Sequence, residues 1–306
     1  MSDDVLVTQG LTKRYGPATA VDDVSIRLER GRIYGLIGAN GAGKTTLMRM
    51  ITGLSLPTAG SISLFGSTAA TPRQQDLARI GSLIEAPALT GSMTARQNMH
   101  LHRLLRGVPD ASVETELLEL VGLSDTGRKR AADFSLGMRQ RLGIALALIS
   151  DPELLVLDEP VNGLDPVGVV EVRRLIRDLA RERGITVLIS SHNLPELFQT
   201  ATDYIIVDRG SVKRTLTLGE LEDETQHFLR IEARDGERLT TVLEQDLGTE
   251  DFTVMPDRSV RLRSHLDEPE KVLRTLVAHD VWPTSFAAEG ETLEGFFLSV
   301  IGGHRS

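Results

Sequence analysis

The chain has no cysteine at all, which excludes disulfides and thiolate metal sites and agrees with a reducing compartment. It has no long hydrophobic run either. The uncharged apolar stretch 142–149 lies between Arg141 and Asp151, far short of the roughly 18 residues that a membrane-spanning helix needs. The opening residues Met1-Ser2-Asp3-Asp4 lack the basic and then apolar run of a signal peptide, so the chain is expected to stay where it is made. Positive charge is scarce: 34 Lys and Arg against 43 Asp and Glu leave a net charge of −9 and a pI near 5.4. A primary role on nucleic acid wants a basic face, and this balance argues against one. What remains is a 306-residue chain, 41% hydrophobic, able to bury one large core or one core plus a smaller domain.

The most informative segment present is Gly38-Ala39-Asn40-Gly41-Ala42-Gly43-Lys44-Thr45, which fits G-x-x-x-x-G-K-[ST]. It follows a strand-like run, 32–37, and opens a helix-like run, 46–51. Glycine is required there because backbone N–H groups converge on phosphate oxygens at a helix N-terminus, where free donors and the helix dipole favour an anion. Lys44 is expected to reach the β- and γ-phosphates and the Thr45 hydroxyl a Mg²⁺ ion. The plain alternative is a glycine-rich turn.

Along the chain, apolar runs of strand length alternate with helical patterns, which predicts an α/β protein with a mostly parallel central sheet. Residues 5–12 and 26–28 read as strands of an initial antiparallel layer, with Gly16-Pro17 as a turn between them. Residues 33–37, 62–64 and 79–84 read as further strands. From 94 to 149 the pattern turns helical, with Asn98, Leu101, Leu104 and Leu105, then Leu117, Leu118, Leu120 and Val121, mostly three and four apart. Leu154-Leu155-Val156-Leu157 then runs into Asp158-Glu159, as when a buried parallel strand delivers acids to its C-terminal end. Asp158 is expected to hold Mg²⁺ through water, and Glu159 to polarise the attacking water as general base. An acidic strand end serving only solubility is the plain alternative. A turn, 160–166, precedes a helix, 167–183, and the strand 185–189 ends in Ser190-Ser191-His192.

This set of motifs resembles the nucleotide-binding subunit of ABC transporters over about residues 5–221. In that family the phosphate loop is followed by a helical subdomain, a signature sequence, the Asp-Glu strand, a turn carrying Asp and a switch histidine. Here the signature is Phe134-Ser135-Leu136-Gly137-Met138, with Leu136 and Met138 departing from the commonest form. The resemblance implies an ATPase core with an antiparallel β layer and a helical subdomain at about 86–150. It implies that Gly38, Asn40, Gly41, Gly43, Lys44, Thr45 and Thr46 hold the phosphates, that Tyr15 stacks on adenine, and that Ser135 and Gly137 contact the γ-phosphate of the facing subunit's ATP. His192 would sense the γ-phosphate, and Asp165 would organise the facing site. Ser135 reads equally as an ordinary N-cap, and the two roles are compatible.

Glu85 departs from the family, most members having Gln there. The pattern of Ile84-Glu85-Ala86-Pro87 and Thr94-Ala95-Arg96-Gln97-Asn98 is similar to the bacitracin-resistance and lantibiotic-immunity branch. The resemblance implies that Glu85 lies near Mg²⁺ and the attacking water, on a loop leading to the surface that meets the membrane subunit; a solvated loop carboxylate is the alternative. It further implies ATP and Mg²⁺ as ligands, a separate integral membrane permease, a second ATPase chain (a homodimer being simplest) and a peripheral place on the cytoplasmic face of the membrane. Export is favoured, with the cargo open. DNA-acting relatives insert a long coiled coil, ribosomal ones usually carry two ATPase domains, and a metal-cofactor assembly role has no cysteine to support it.

Beyond Leu221 the resemblance ends, and 222–306 is expected to form a small α+β unit. Strands at 228–233, 252–255, 260–263 and 281–287 and helices at 238–247 and 268–278 give the ferredoxin-like order β-α-β-β-α-β, closed by a helix at 293–301. Packing or dimer support is its expected role. Trp282 is expected in its core, and His100 and His102 on a helix surface, too far apart in angle to act together.

Overall fold

The structure is a computed structural model that describes residues 3–67, 73–290 and 292–302. Its contacts divide the chain into Met1–Leu218 and Gly219–Ser306.

The first unit begins with an antiparallel layer. Strand β1 (Asp4–Tyr15) pairs with β2 (Ala18–Val24), β3 (Arg27–Glu29) and, further on, β5 (Ala59–Leu64). Sequence periodicity misses β2, because Asp22 and Asp23 interrupt its apolar positions and Asp23 has φ +52° beside irregular pairing with β1. Strand β4 (Ile33–Ile37) leads through the glycine loop into α1 (Lys44–Ile51), and a short α2 (Gln74–Leu77) precedes β6 (Ile80–Leu83). Helices α3 (Ala95–Arg106), α4 (Ser112–Leu120) and α5 (Leu136–Leu148) form the helical insert. Then come β7 (Leu154–Asp158), α6 (Pro166–Arg183), β8 (Thr186–Ser191), α7 (Leu194–Phe198), β9 (Asp203–Asp208) and β10 (Ser211–Thr217).

The central sheet has the order β10-β9-β4-β8-β7-β6, parallel throughout except for β10 against β9. Every residue of β4, β7 and β8 is buried, which is why these strands read as unbroken apolar runs instead of alternating ones. Parallel register aligns their C-terminal ends: Ile37 lies opposite Ser191, and Asp158 opposite Ser190. All polar side chains at those ends therefore emerge on one edge of the sheet.

In the insert, α3 starts at a capping box in which the Thr94 hydroxyl accepts from Gln97 N. Its buried face is Ala95, Asn98, Met99 and Arg103, whereas Leu104 and Leu105 are exposed, so the leucine spacing finds the helix but not its inner side. Arg103 Nε donates to Glu114 Oε1 at 2.6 Å and His100 Nδ1 lies 3.0 Å from the same oxygen, joining α3 to α4. Burial pushes the Glu114 carboxyl up, and the hydrogen bonds from Arg103 and His100 outweigh that and hold it below its ordinary value.

The second unit begins within α8 (Leu218–Thr225), so the expected boundary at Leu221 falls inside a helix. Strand β11 (Phe228–Ala233), α9 (Gly236–Gln245), β12 (Phe252–Val254), β13 (Val260–Leu262), α10 (Pro269–Ala278) and β14 (Pro283–Glu289) follow in β-α-β-β-α-β order, before α11 (Leu293–Gly302). The sheet is antiparallel, ordered β12-β13-β11-β14. Its core is aliphatic, with Leu229 and Ile231 of β11 packed with Leu239, Leu243, Val272 and Leu276. Trp282 is not in it: it is 67% exposed while its neighbour Val281 is buried, since the chain enters β14 with alternating sides and Val281 takes the inner one.

Candidate nucleotide site

The site starts at the end of β4. Residues 38–43 leave the sheet and turn into α1, whose N-cap, Gly43, has φ +102° and no side-chain cap. A side chain at Gly43 would strike the Ala20 carbonyl, and one at Gly38 the Val207 carbonyl, so only glycine lets the loop close against its neighbours. An uncapped helix start leaves its first N–H groups to an anion. Asn40 and Gly41 are exposed on this loop, and Thr46 is half-buried behind it.

Lys44 is 6% exposed, and its Nζ donates to Gly38 O at 2.6 Å while standing 3.5 Å from Glu159 Oε1. The Thr45 hydroxyl donates to Asp158 Oδ2 at 2.8 Å. His192 Nδ1 is 2.9 Å from Glu159 Oε2. Lys44, Thr45, Asp158, Glu159 and His192, drawn from three parts of the sequence, thus form one connected set.

Ser190, to which sequence reasoning assigns no part, ties this set together. It is fully buried on β8, donates to Asp158 Oδ1 at 2.6 Å and accepts from Glu159 N at 2.9 Å. Both functions of one hydroxyl are used. Glu159 has φ +48°, a conformation that non-glycine residues seldom adopt, and its amide is fixed there by Ser190. The only sequence signal for Ser190 was a polar residue at a buried strand's C-terminal end.

The remaining expected residues lie elsewhere. Tyr15, 49% exposed at the end of β1, has the Lys13 ammonium 5.0 Å from its ring. Ser135 caps α5, accepting from Met138 N at 3.2 Å, and Asp165 caps α6, accepting from Gly168 N at 3.2 Å. Ser135, Gly137 and Asp165 line a crevice of about 390 Å³ to which no phosphate-loop residue contributes. Glu85 stands two residues beyond β6, and its recorded partner is Arg49 of α1, not Thr45 or Asp158. Sequence reading also gave Arg49 no part.

A glycine loop at a helix N-terminus, a buried lysine and paired acids at the end of β7, one strand removed from β4 in the parallel sheet, define a P-loop nucleotide site. Comparison with known proteins narrows the class. The family model described as "ABC transporter" matches residues 21–162. The chain is 39% identical over 299 residues to the bacitracin transport ATP-binding protein BcrA of Bacillus licheniformis, covering 98% of each. It is 44% identical over 201 residues to the lantibiotic transport ATP-binding protein SrtF of Streptococcus pyogenes, covering 66% of this chain and 85% of that one. A solved structure described as the ATP-binding subunit of an ABC transporter superposes with a TM-score of 0.64 at 29% identity, covering 72% of this chain and 92% of that chain. The chain belongs to the ATP-binding subunits of ABC transporters, and its activity is that of an ATPase.

Proposed function

We propose that the chain binds MgATP on the loop 38–46 and hydrolyses it to drive export of an antibiotic or another amphipathic compound through a separate integral membrane permease. The observation that carries this reading is the convergence of Lys44 and His192 on the two oxygens of Glu159, at 3.5 and 2.9 Å. A carboxylate so oriented at the mouth of a phosphate loop is suited to accept a proton from water. Lys44 and the free amides at the start of α1 hold phosphate charge, and the exposed ring of Tyr15 offers a stacking face for adenine. With its proton on Nδ1, His192 donates to Glu159 and keeps Nε2 for a second partner.

The residues fit Mg²⁺. Thr45 and Asp158 present hard oxygen donors side by side, and among the described residues no three of His, Cys, Asp or Glu form a metal cage. One or two carboxylates supplemented by phosphate oxygens are what this ion usually takes. Thr45 and Asp158 would hold it, with Glu85 as a further ligand, and the ion would neutralise phosphate charge.

Ser135 and Gly137 at the start of α5, with Asp165 beside them, form a donor-bearing N-terminus that suits the γ-phosphate held by a second copy. A homodimer with two ATP sites follows as the simplest assembly. Among the described residues no helix is long and apolar enough to cross a membrane; the relatives named as transport ATP-binding proteins support assigning the pathway to another chain, with this one at the cytoplasmic membrane face. The cargo class rests on the relatives named for bacitracin and lantibiotic transport.

The test is to express Glu159→Gln in the native cell, trap it with ATP and identify what co-purifies from solubilised membranes. A multi-span membrane protein is expected. Recovery of ribosomes or DNA-bound proteins without a membrane partner would overturn the transport reading.

A further inference from the structure

Glu85 occupies an unusual piece of backbone. Its φ is +64°, and Ala86 N donates to Ile84 O at 2.9 Å across it. That is a γ-turn of the positive-φ kind, the rare and strained form. Strain of this sort persists only where the surroundings impose it, and it gathers at ligand clamps and switch regions. The recorded side-chain partner of Glu85 is the Arg49 guanidinium, with both side chains partly open to solvent.

Arg49 is four residues beyond Thr45 on α1. Positions i and i+4 of a helix share a face, one turn apart. The Thr45 hydroxyl is committed to Asp158, so one stripe of α1 carries the donor for the proposed metal position and, a turn further on, the cation that holds Glu85.

We propose that Arg49, one helical turn beyond Thr45, is a positioning residue for Glu85, holding its carboxylate away from the metal side of the site and releasing it when Glu85 joins that side. This rests on the reading of Glu85 given above. The ion pair and a metal-directed Glu85 are mutually exclusive positions of one carboxylate. Arg49 therefore opposes divalent-cation binding and delays completion of the site until the loop that begins at Ile84 has moved.

The test uses the full-length chain carrying Glu159→Gln, so that binding is read without turnover. A fluorescent ATP analogue is bound at rising Mg²⁺ concentration, with Mn²⁺ paramagnetic resonance as a second readout. Arg49→Met is expected to lower the Mg²⁺ concentration for half-maximal binding by about two- to fivefold, the scale of an exposed ion pair. Arg49→Lys, which keeps charge but loses the planar fork, should fall between. In the Glu85→Gln background, Arg49→Met should change nothing. An equal shift in that background would mean that Arg49 acts as a general charge near the metal and would overturn the proposal. If Glu85→Gln alone raises the Mg²⁺ requirement while Arg49→Met leaves it unchanged, the positioning role fails and the metal-side reading of Glu85 stands. If Glu85→Gln alone has no effect, that reading falls and takes the inference with it. Should Arg49→Met fail to fold, Arg49→Lys carries the same comparison.

Discussion

The two units of this chain bury different things. In Gly219–Ser306 the core is apolar, and among the described residues the buried polar side chains are Thr249 and Ser259, both near turns. In Met1–Leu218 the interior takes in Lys44, Asp158, Ser190, Ser191, Arg103 and Glu114, besides an apolar core of its own. Burying a polar or charged group without a partner is expensive, and each of these six is matched to one by geometry or lies at the strand ends where ligands bind, while the Gln140 side-chain oxygen on α5 is buried without a partner. Non-glycine residues at positive φ occur in both units. Glu159 has it at the nucleotide site and Glu85 in the turn beyond β6, whereas Asp23, Phe65, Asp151 and Arg209 of the first unit, like Arg258, His265 and Asp280 of the second, have it away from that site. The interior of the second unit is given over to apolar packing, and the first holds buried charge, with the strained Glu159 beside it, at the strand ends.

That contrast can be broken most forcefully at Leu276, fully buried on α10. Leu276→Ala should destabilise the second unit by about 2–5 kcal/mol, seen as lost hydrogen-exchange protection in β11 and β13; unchanged protection would deny that packing alone sustains it. Ser190→Ala should act on turnover as well. We expect turnover per folded molecule to fall by about 10- to 100-fold, equivalent to one hydrogen bond to a charged group, beside a stability loss of about 1–3 kcal/mol from the bonds taken from Asp158 and the Glu159 amide. Turnover per folded molecule equal to wild type would make Ser190 an ordinary core residue.

Glu114→Gln should cost about 1–2 kcal/mol, because the Arg103 guanidinium keeps its burial but loses a charged acceptor. The sign of the pH dependence follows from the depressed carboxyl. A carboxylate stabilised in the folded state contributes fully above its unfolded value, ordinarily 4.5, and that contribution is lost as pH falls through the lower folded value. Acid unfolding below that range should thus separate wild type from Glu114→Gln progressively less. The smallest effect belongs to Trp282, whose exposure puts Trp282→Ala within about 0.5 kcal/mol of wild type. A larger loss on thermal unfolding would mean that this face is covered in the working protein.

How much of this was legible in the sequence depends on where the signal lies. The phosphate loop and the Asp-Glu strand end are local, since glycine, lysine and acids must occur at fixed spacing in one stretch. The strands of the central sheet are legible because parallel strands buried on both faces become continuous apolar runs. Ser190 was not legible as part of the site, nor Arg49 as the partner of Glu85, because these relations join residues 31 to 36 apart in the chain and only the sheet register and the α1 face establish them. The inner face of α3 was not legible for a related reason. Arg103 and Asn98 are buried through hydrogen bonds, while Leu104 and Leu105 face outward, so hydrophobicity alone points the wrong way. Trp282 repeats the lesson in the second unit.

The account stands most directly on Glu159. ATP hydrolysis and nucleotide affinity of the purified chain should be measured side by side for wild type and Glu159→Gln. The arrangement with Lys44 and His192 predicts that turnover falls by about 10²- to 10⁴-fold while ATP is still bound. Hydrolysis near the wild-type rate would remove Glu159 from the chemistry and contradict the site as described.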